Sequence, residues 1–497
     1  MATDRLILAL DQGTTGTTVI AFDTAGAPRG RGYRELKQHY PRPGWVEHDP
    51  REIWRSVQEA TIAALREAAA DPRQVATVGI TNQRETLVLW NPATLEPLGR
   101  AIVWQDRRTA SECDRLREAG YEARVREVTG LVLDPYFTAT KLRWALENVE
   151  GARSAAAGTV DSWLVACLSG GRDHVTDASN ASRTLLCDIE SGGWSEEMQD
   201  LFQVAGGQLP RIVSSSGAIS HTDPEAFAGV DAPVSGIAGD QQAALFGQAC
   251  LERGMAKNTY GTGSFVLLQT ATERVRSRSG LLTTVAWLRE GGLRYALEGP
   301  IFVTGASLQW LRDELGVIAS SAEAGPLAES VADAGGVYLV PAFAGLGAPH
   351  WDPYARAAIL GLSRGSGKAE LVRAAVESMA YQTRDVLDAM LEDTREPLKE
   401  LRVDGGASVM DFLCQFQADL LGIPVRRPVL TETTAAGAAY LAGLGAGIWR
   451  GEADLDALWR LDAEFEPRMS RDQADTLQAG WRRAVARSRG WIDPHNQ

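Results

Sequence analysis

Leu6–Asp23 reads LILALDQGTTGTTVIAFD, and this stretch decides the fold. Leu6–Leu10 is an apolar strand, Asp11–Gly16 a tight turn, and Thr17–Asp23 a returning β-branched strand. The tip, DQGTTG, offers backbone amides, the hydroxyls of Thr14 and Thr15, and the carboxylate of Asp11. A phosphate cradle needs such donors, and a magnesium ion on the phosphates would take an oxygen from Asp11. Taken alone, the tip also reads as an ordinary Gly/Thr-rich turn. The same strand, glycine turn, strand pattern returns at Lys257–Gln269, around Tyr260-Gly261-Thr262-Gly263-Ser264-Phe265. Two such hairpins imply duplicated α/β domains facing across a cleft. A chain of 497 residues is too long for one ordinary core, so the halves are read as domains 1–249 and 250–497.

Between the hairpins lies Gly236–Gln248, GIAGDQQAALFGQ. A short apolar lead into Gly239 delivers Asp240 and Gln241, and a small-residue helix starts at once. Asp240 is expected to cap that helix while its carboxylate faces the cleft, with the glycines leaving room for a ligand. An acid that takes a proton from a hydroxyl, beside turns that hold phosphates, describes a kinase for a small alcohol. Thr304-Gly305-Ala306-Ser307 feeds a further helix that contains Gln309, whose first amides suit a phosphate or ribose. In Val403-Asp404-Gly405-Gly406 a strand ends in a glycine pair, which lets a flat nucleotide ring lie close to backbone.

Ligands of α/β proteins collect at the carboxyl ends of strands. The strand Val75–Ile80 ends in Thr81-Asn82-Gln83-Arg84-Glu85. Arg84 and Glu85 would grip neighbouring hydroxyls of a polyol, or form a solvated ion pair. Ile102–Thr109 again runs from strand into polar residues, and its Trp104 is either a core aromatic or an apolar wall for a substrate's carbon chain. Tyr136 precedes a helix from Thr138 to Asn148, where its hydroxyl meets a ligand or caps local backbone. The polar run Thr176–Arg183 reads as a loop shaping the cleft, and the tail beyond Asp454 as helical and charged.

The composition is that of a globular protein, and the formal net charge of −14 opposes nonspecific binding to nucleic acid or acidic membranes. The five cysteines are widely spaced and lack a CxxC pair, which suits a reducing compartment. The N-terminal run after Asp4 and Arg5 is too short for a signal peptide or an integral membrane segment, so a cytoplasmic protein is expected. Gly365-Ser366-Gly367-Lys368 is no P-loop, because Leu362 and Ala369 occupy its required glycine and hydroxyl positions. Gly443–Gly447 follows a helical pattern, which excludes a dinucleotide fingerprint.

The blocks DQGTTG, GITNQRE, IVWQDRRT, PYFTATKLRWAL, GIAGDQQAALFGQ, NTYGTGSF, GASLQWLRD, PAFAGLGAPHWDPYAR and GGASVMDFLCQFQADLLGIP together resemble the FGGY carbohydrate kinases. The likeness runs from near the N-terminus to beyond Thr434. It implies two ribonuclease H-like domains of the actin/hexokinase ATPase type, facing across a catalytic cleft. It also implies transfer from ATP, with Mg²⁺, to a terminal hydroxyl of glycerol, giving sn-glycerol 3-phosphate and ADP. The resemblance assigns glycerol contacts to Arg84, Glu85, Trp104, Tyr136, Asp240, Gln241 and Phe265, with Asp240 the general base. It places Thr14, Thr15, Thr262, Gly305, Gln309, Gly406 and Met410 at nucleotide positions and Asp11 on the magnesium side. A homodimer or homotetramer is expected from the same resemblance. The chain departs from the family at Thr18, where a basic residue usually ends the first phosphate hairpin, and at Met410-Asp411, which replace an asparagine pair near adenine.

Overall fold

The computed structural model describes residues 5–493, and Asp4, read above as preceding the first apolar run, lies outside them. Two large sheets organise the chain. The N-terminal sheet has six strands, in the spatial order Ser216–His221, Pro233–Gly239, Val75–Asn82, Leu6–Gln12, Gly16–Asp23, Pro28–Glu35. Leu6–Gln12 runs antiparallel to Gly16–Asp23 and parallel to Val75–Asn82, which is parallel in turn to Pro233–Gly239. The first turn is tighter than the sequence suggests, because pairing continues through Gln12 and resumes at Thr17.

The second sheet has seven strands and repeats this plan. Met255–Tyr260 pairs antiparallel with Ser264–Ala271 and parallel with Glu400–Asp404, and Val425–Pro428 follows as the next parallel neighbour. Beyond it lies Leu461–Phe465, antiparallel, in the place that Ser216–His221 holds in the first sheet. The tail is therefore not helical throughout. This strand is half-exposed at a sheet edge, so its pairing comes from Val425–Pro428 and not from an apolar pattern of its own.

Each sheet buries one face under its own helices. Pro50–Glu67 sets Ile53, Val57, Ala60 and Ala64 against Leu6, Leu8, Leu10 and Val19, while Lys368–Thr394 and Asp411–Leu421 cover the outer face of the second sheet. The inner faces meet at a seam. The alanine-rich helix Thr433–Gly445, late in the chain, lies on the N-terminal sheet beside Asp240–Gly247. Its small residues permit the approach, since a Cβ at Gly437 would stand 1.8 Å from the carbonyl oxygen of Ala243. Met255 and Leu267 of the second sheet join the same core. The five cysteines are buried and unpaired, and no helix among the described residues is long and apolar enough to cross a membrane.

Candidate active site at the seam of the two lobes

The strand Pro233–Gly239 hands directly to the helix Asp240–Gly247. Gly239 occupies the cap position in place of Asp240, which becomes the first helical residue. The Asp240 carboxylate accepts from the Gln241 amide at 2.8 Å, sits 3.2 Å from Arg84 Nε, and keeps 29% of its side chain exposed. Gly239 is required here, because a Cβ would lie 2.6 Å from Arg84 Cδ.

Arg84 and Glu85 are not a solvated pair. Both are buried at the end of Val75–Asn82, within a four-member ionic cluster that spans the lobes. Arg84 donates Nη1 and Nη2 to Glu298 at 2.6 and 2.9 Å, and Arg183 donates Nε to Glu85 at 2.6 Å. Arg183 Nη2 lies 3.0 Å from Glu298, and Arg84 Nε lies 3.8 Å from Glu85. Two guanidiniums thus balance two carboxylates in a water-poor interior. Burial works to raise the Glu298 carboxyl, but the charges of Arg183 and Arg84 outweigh it and hold the group at about 2. Glu85, with fewer donors, is pushed upward by burial despite the same neighbours. Its backbone adopts φ +63°, an unusual conformation for a non-glycine residue. The Thr138 hydroxyl and the Lys141 ammonium both point to the Glu85 carbonyl, at 3.1 and 3.5 Å.

Aromatic side chains close this pocket. The Trp104 and Tyr136 rings meet edge to face at 5.5 Å, Trp104 Nε1 donates to Thr14 Oγ1 at 2.9 Å, and the Arg84 guanidinium stands 5.7 Å from the Phe265 ring. The Tyr136 hydroxyl lies 3.5 Å from Arg84 Nη2. All seven residues expected to meet the polyol therefore lie around Arg84 or one contact away; Gln241 follows Asp240 on the same helix turn.

The run Thr176–Arg183, expected as a loop, is a short strand and a single helical turn, fully buried. Asp177 makes this possible: its carboxylate accepts from Ser179, Asn180 and Ser215, so the polar groups satisfy one another. Asn180 then pairs with Asn82, and Ser179 accepts from the Gly239 amide at 2.9 Å. The run thus ties two strand ends that carry the site. Sequence reasoning gives Arg183 only a place in the cleft-shaping run and gives Glu298 none; the local signal for Glu298 is a lone carboxylate inside the apolar run Tyr295–Ile301.

On the phosphate side, Asp11 pairs across the hairpin with Thr18, so no cation stands at that position. Burial, then the charges of Asp240 and Glu432, push the Asp11 carboxyl up to about 8. Thr14 and Thr15 form the hairpin tip, and Thr15 is exposed. Across the cleft, a cavity of about 640 Å³ gathers Thr262, Gly305, Gln309, Gly406 and Met410, with Tyr260 and Phe412 on its wall. Gly405, at φ +82°, lies so close to Tyr260 that a Cβ would stand 2.4 Å from its carbonyl oxygen. A Cβ on Gly406 would meet nothing within 4 Å. This glycine pair therefore leaves one side of the cavity unobstructed.

The two lobes have the ribonuclease H-like ATPase fold, and because one fold hosts many chemistries, the class of enzyme is read from the site and the family together. The chain belongs to the FGGY family of carbohydrate kinases: the family's N-terminal domain matches residues 6–247 and its C-terminal domain residues 256–446. It is 56% identical over 496 residues to the glycerol kinase of Dechloromonas aromatica (strain RCB), covering 99% of each chain. It is 52% identical to glycerol kinase 2 of Thermotoga maritima, over 98% of this chain and 99% of that one. Among solved structures it resembles the glycerol kinase of Plasmodium falciparum with ADP, at a TM-score of 0.91, 34% identity and 98% coverage of both chains.

Proposed function

We propose that the protein transfers the γ-phosphoryl group of ATP to a terminal hydroxyl of glycerol, giving sn-glycerol 3-phosphate and ADP. Relatives named glycerol kinase at more than half identity across the chain support the reaction. The observation that carries the chemistry is the Asp240 carboxylate, partly exposed beside a fixed Arg84. In this reading Asp240 accepts the proton as the terminal oxygen meets the phosphoryl group. Arg84, Glu85, Tyr136 and Gln241 orient the hydroxyls, and Trp104 and Phe265 exclude water along the carbon chain. Thr14, Thr15, Thr262 and Gly305 hold the phosphates, and Gln309, Gly406 and Met410 meet the nucleoside.

Asp11 suits a magnesium ion: it is a hard oxygen donor crowded by the charges of Asp240 and Glu432, which a cation would relieve. No cluster of three metal-ligating side chains occurs among the described residues, so phosphate and water oxygens would complete the shell. When bound, the ion offsets charge on the phosphate oxygens. The lobes 1–249 and 250–497 then divide the work into a polyol side and a nucleotide side. We place the enzyme in the cytoplasm as a homodimer or homotetramer, to be checked by light scattering of the purified chain.

An ADP-release assay with glycerol, dihydroxyacetone, erythritol, xylulose and gluconate, repeated with GTP, tests the proposal. Glycerol with ATP should give the highest kcat/KM. A higher value for a five- or six-carbon substrate, or binding without turnover, would overturn it.

A further inference from the structure

Lys257 has no part in the function proposed above, yet it is fully buried on the inner face of the second sheet. Strand pairing puts Lys257 opposite Leu267, and Leu267 opposite Glu298. The ammonium and the carboxylate thus flank one leucine on the face that meets the first lobe. Glu298 reaches Arg84 and Arg183 from this row, and Lys257 reaches the catalytic helix. Its Nζ donates to Gln241 Oε1 at 2.5 Å and to Thr259 Oγ1 at 2.9 Å.

An ammonium only donates, so this contact dictates which end of the Gln241 amide faces it. The carbonyl oxygen must turn to Lys257, and the NH₂ group must turn away. That NH₂ group makes no hydrogen bond among the described residues, while Asp240, its chain neighbour, is open to the cleft. We propose that Lys257 is a positioning residue for the phosphoryl transfer: by holding Gln241 Oε1 it presents the amide NH₂ to the polyol. A hydroxyl meeting that group can only accept from it, which leaves the hydroxyl's own proton free for Asp240. Burial lowers the Lys257 pKa to about 8, and the carboxylates of Asp404, Asp240 and Glu298 oppose that shift, so the donor stays charged at neutral pH. The inference rests on the polyol site proposed above.

Steady-state ADP release by the full chain tests it. Lys257→Met keeps the length and removes the donor. Glycerol KM should rise about ten-fold while ATP KM moves less than about two-fold, since one amide loses its orientation. In a Gln241→Leu background, adding Lys257→Met should change glycerol KM by less than about two-fold, because the residue acts through that amide. Ethylammonium should restore a low glycerol KM to Lys257→Ala, and ethanol should not. Additive losses in the double variant, or equal rises in both KM values, would overturn the proposal.

A second pair of variants leaves Lys257 in place and needs no turnover. Gln241→Glu should melt no lower than wild type, because a carboxylate there meets the ammonium, and should melt above Gln241→Leu. If Gln241→Glu melts well below Gln241→Leu, the contact does not exist and the inference fails. Absence of turnover on glycerol by the wild-type chain would count against the proposed substrate alone, and these melting points would still judge Lys257.

Discussion

Replacing Glu298 by glutamine tests whether the ionic cluster holds the two lobes together. Glu298 accepts three short contacts from Arg84 and Arg183, and its side chain is fully buried. The guanidiniums hold its carboxyl at about 2 against an ordinary value of 4.5. At about 1.4 kcal/mol per unit, that shift corresponds to about 3 kcal/mol of stability. Removing one member of a buried ionic set costs about 3–5 kcal/mol by an independent route, and here it leaves two guanidiniums with Glu85 and the partly exposed Asp240. The folded pKa is depressed, so the stabilisation is complete above about pH 4.5 and is lost as pH falls toward 2. Urea unfolding at pH 7 should therefore separate wild type from Glu298→Gln by about 3 kcal/mol, and the gap should narrow steadily below pH 4.5. A gap below about 0.5 kcal/mol at pH 7, or one that does not change with pH, would refute the reasoning.

Asp240→Asn should fold and bind glycerol yet lose roughly 10²- to 10⁴-fold in kcat, and a much smaller loss in a rapid-quench assay would remove it from the general-base role. Asp11, raised to about 8, is protonated at pH 7 without ligand, so binding of magnesium and nucleotide should expel close to one proton. Calorimetry in buffers of different ionisation enthalpy reads that release, and Asp11→Asn should abolish it. The same raised pKa makes the ligand-free wild type lose stability relative to Asp11→Asn as pH climbs from about 4 to 8, which thermal melts across that range will follow. Gly437→Ala drives a methyl into the Ala243 carbonyl and should cost about 1–3 kcal/mol in denaturant unfolding.

The hairpins at Asp11–Gly16 and Tyr260–Phe265 were legible because strand period and glycine punctuation are local signals. The same holds for the small-residue helix after Asp240, though which residue caps it was not. The partners of the site lay beyond any local pattern. Arg84 and Glu298 are 214 residues apart, and Arg183 stands 98 residues from Glu85. Arg84 and Glu85 therefore read either as a solvated pair or as a substrate grip, and only their burial in the ionic cluster removes the first of these. Thr176–Arg183 read as a loop because its residues are polar, and only the Asp177 hydrogen bonds show how that polarity is accommodated inside. Lys257 marks only the start of the pattern Lys257–Gln269 in the sequence; strand register turns it toward Gln241.

The helix Thr433–Gly445 carries a consequence for biosynthesis. Its alanines shield Ile7, Ala9, Ile20 and Phe22, and the neighbouring Trp449 donates to the Thr24 carbonyl from 425 residues downstream. At ribosomal speeds of about 5–20 residues per second, that shield arrives on the order of tens of seconds after the sheet it covers. Throughout that interval the nascent chain displays a greasy, unshielded surface. A truncated N-terminal half should be an aggregating chaperone client, rescued by co-expressing the missing piece.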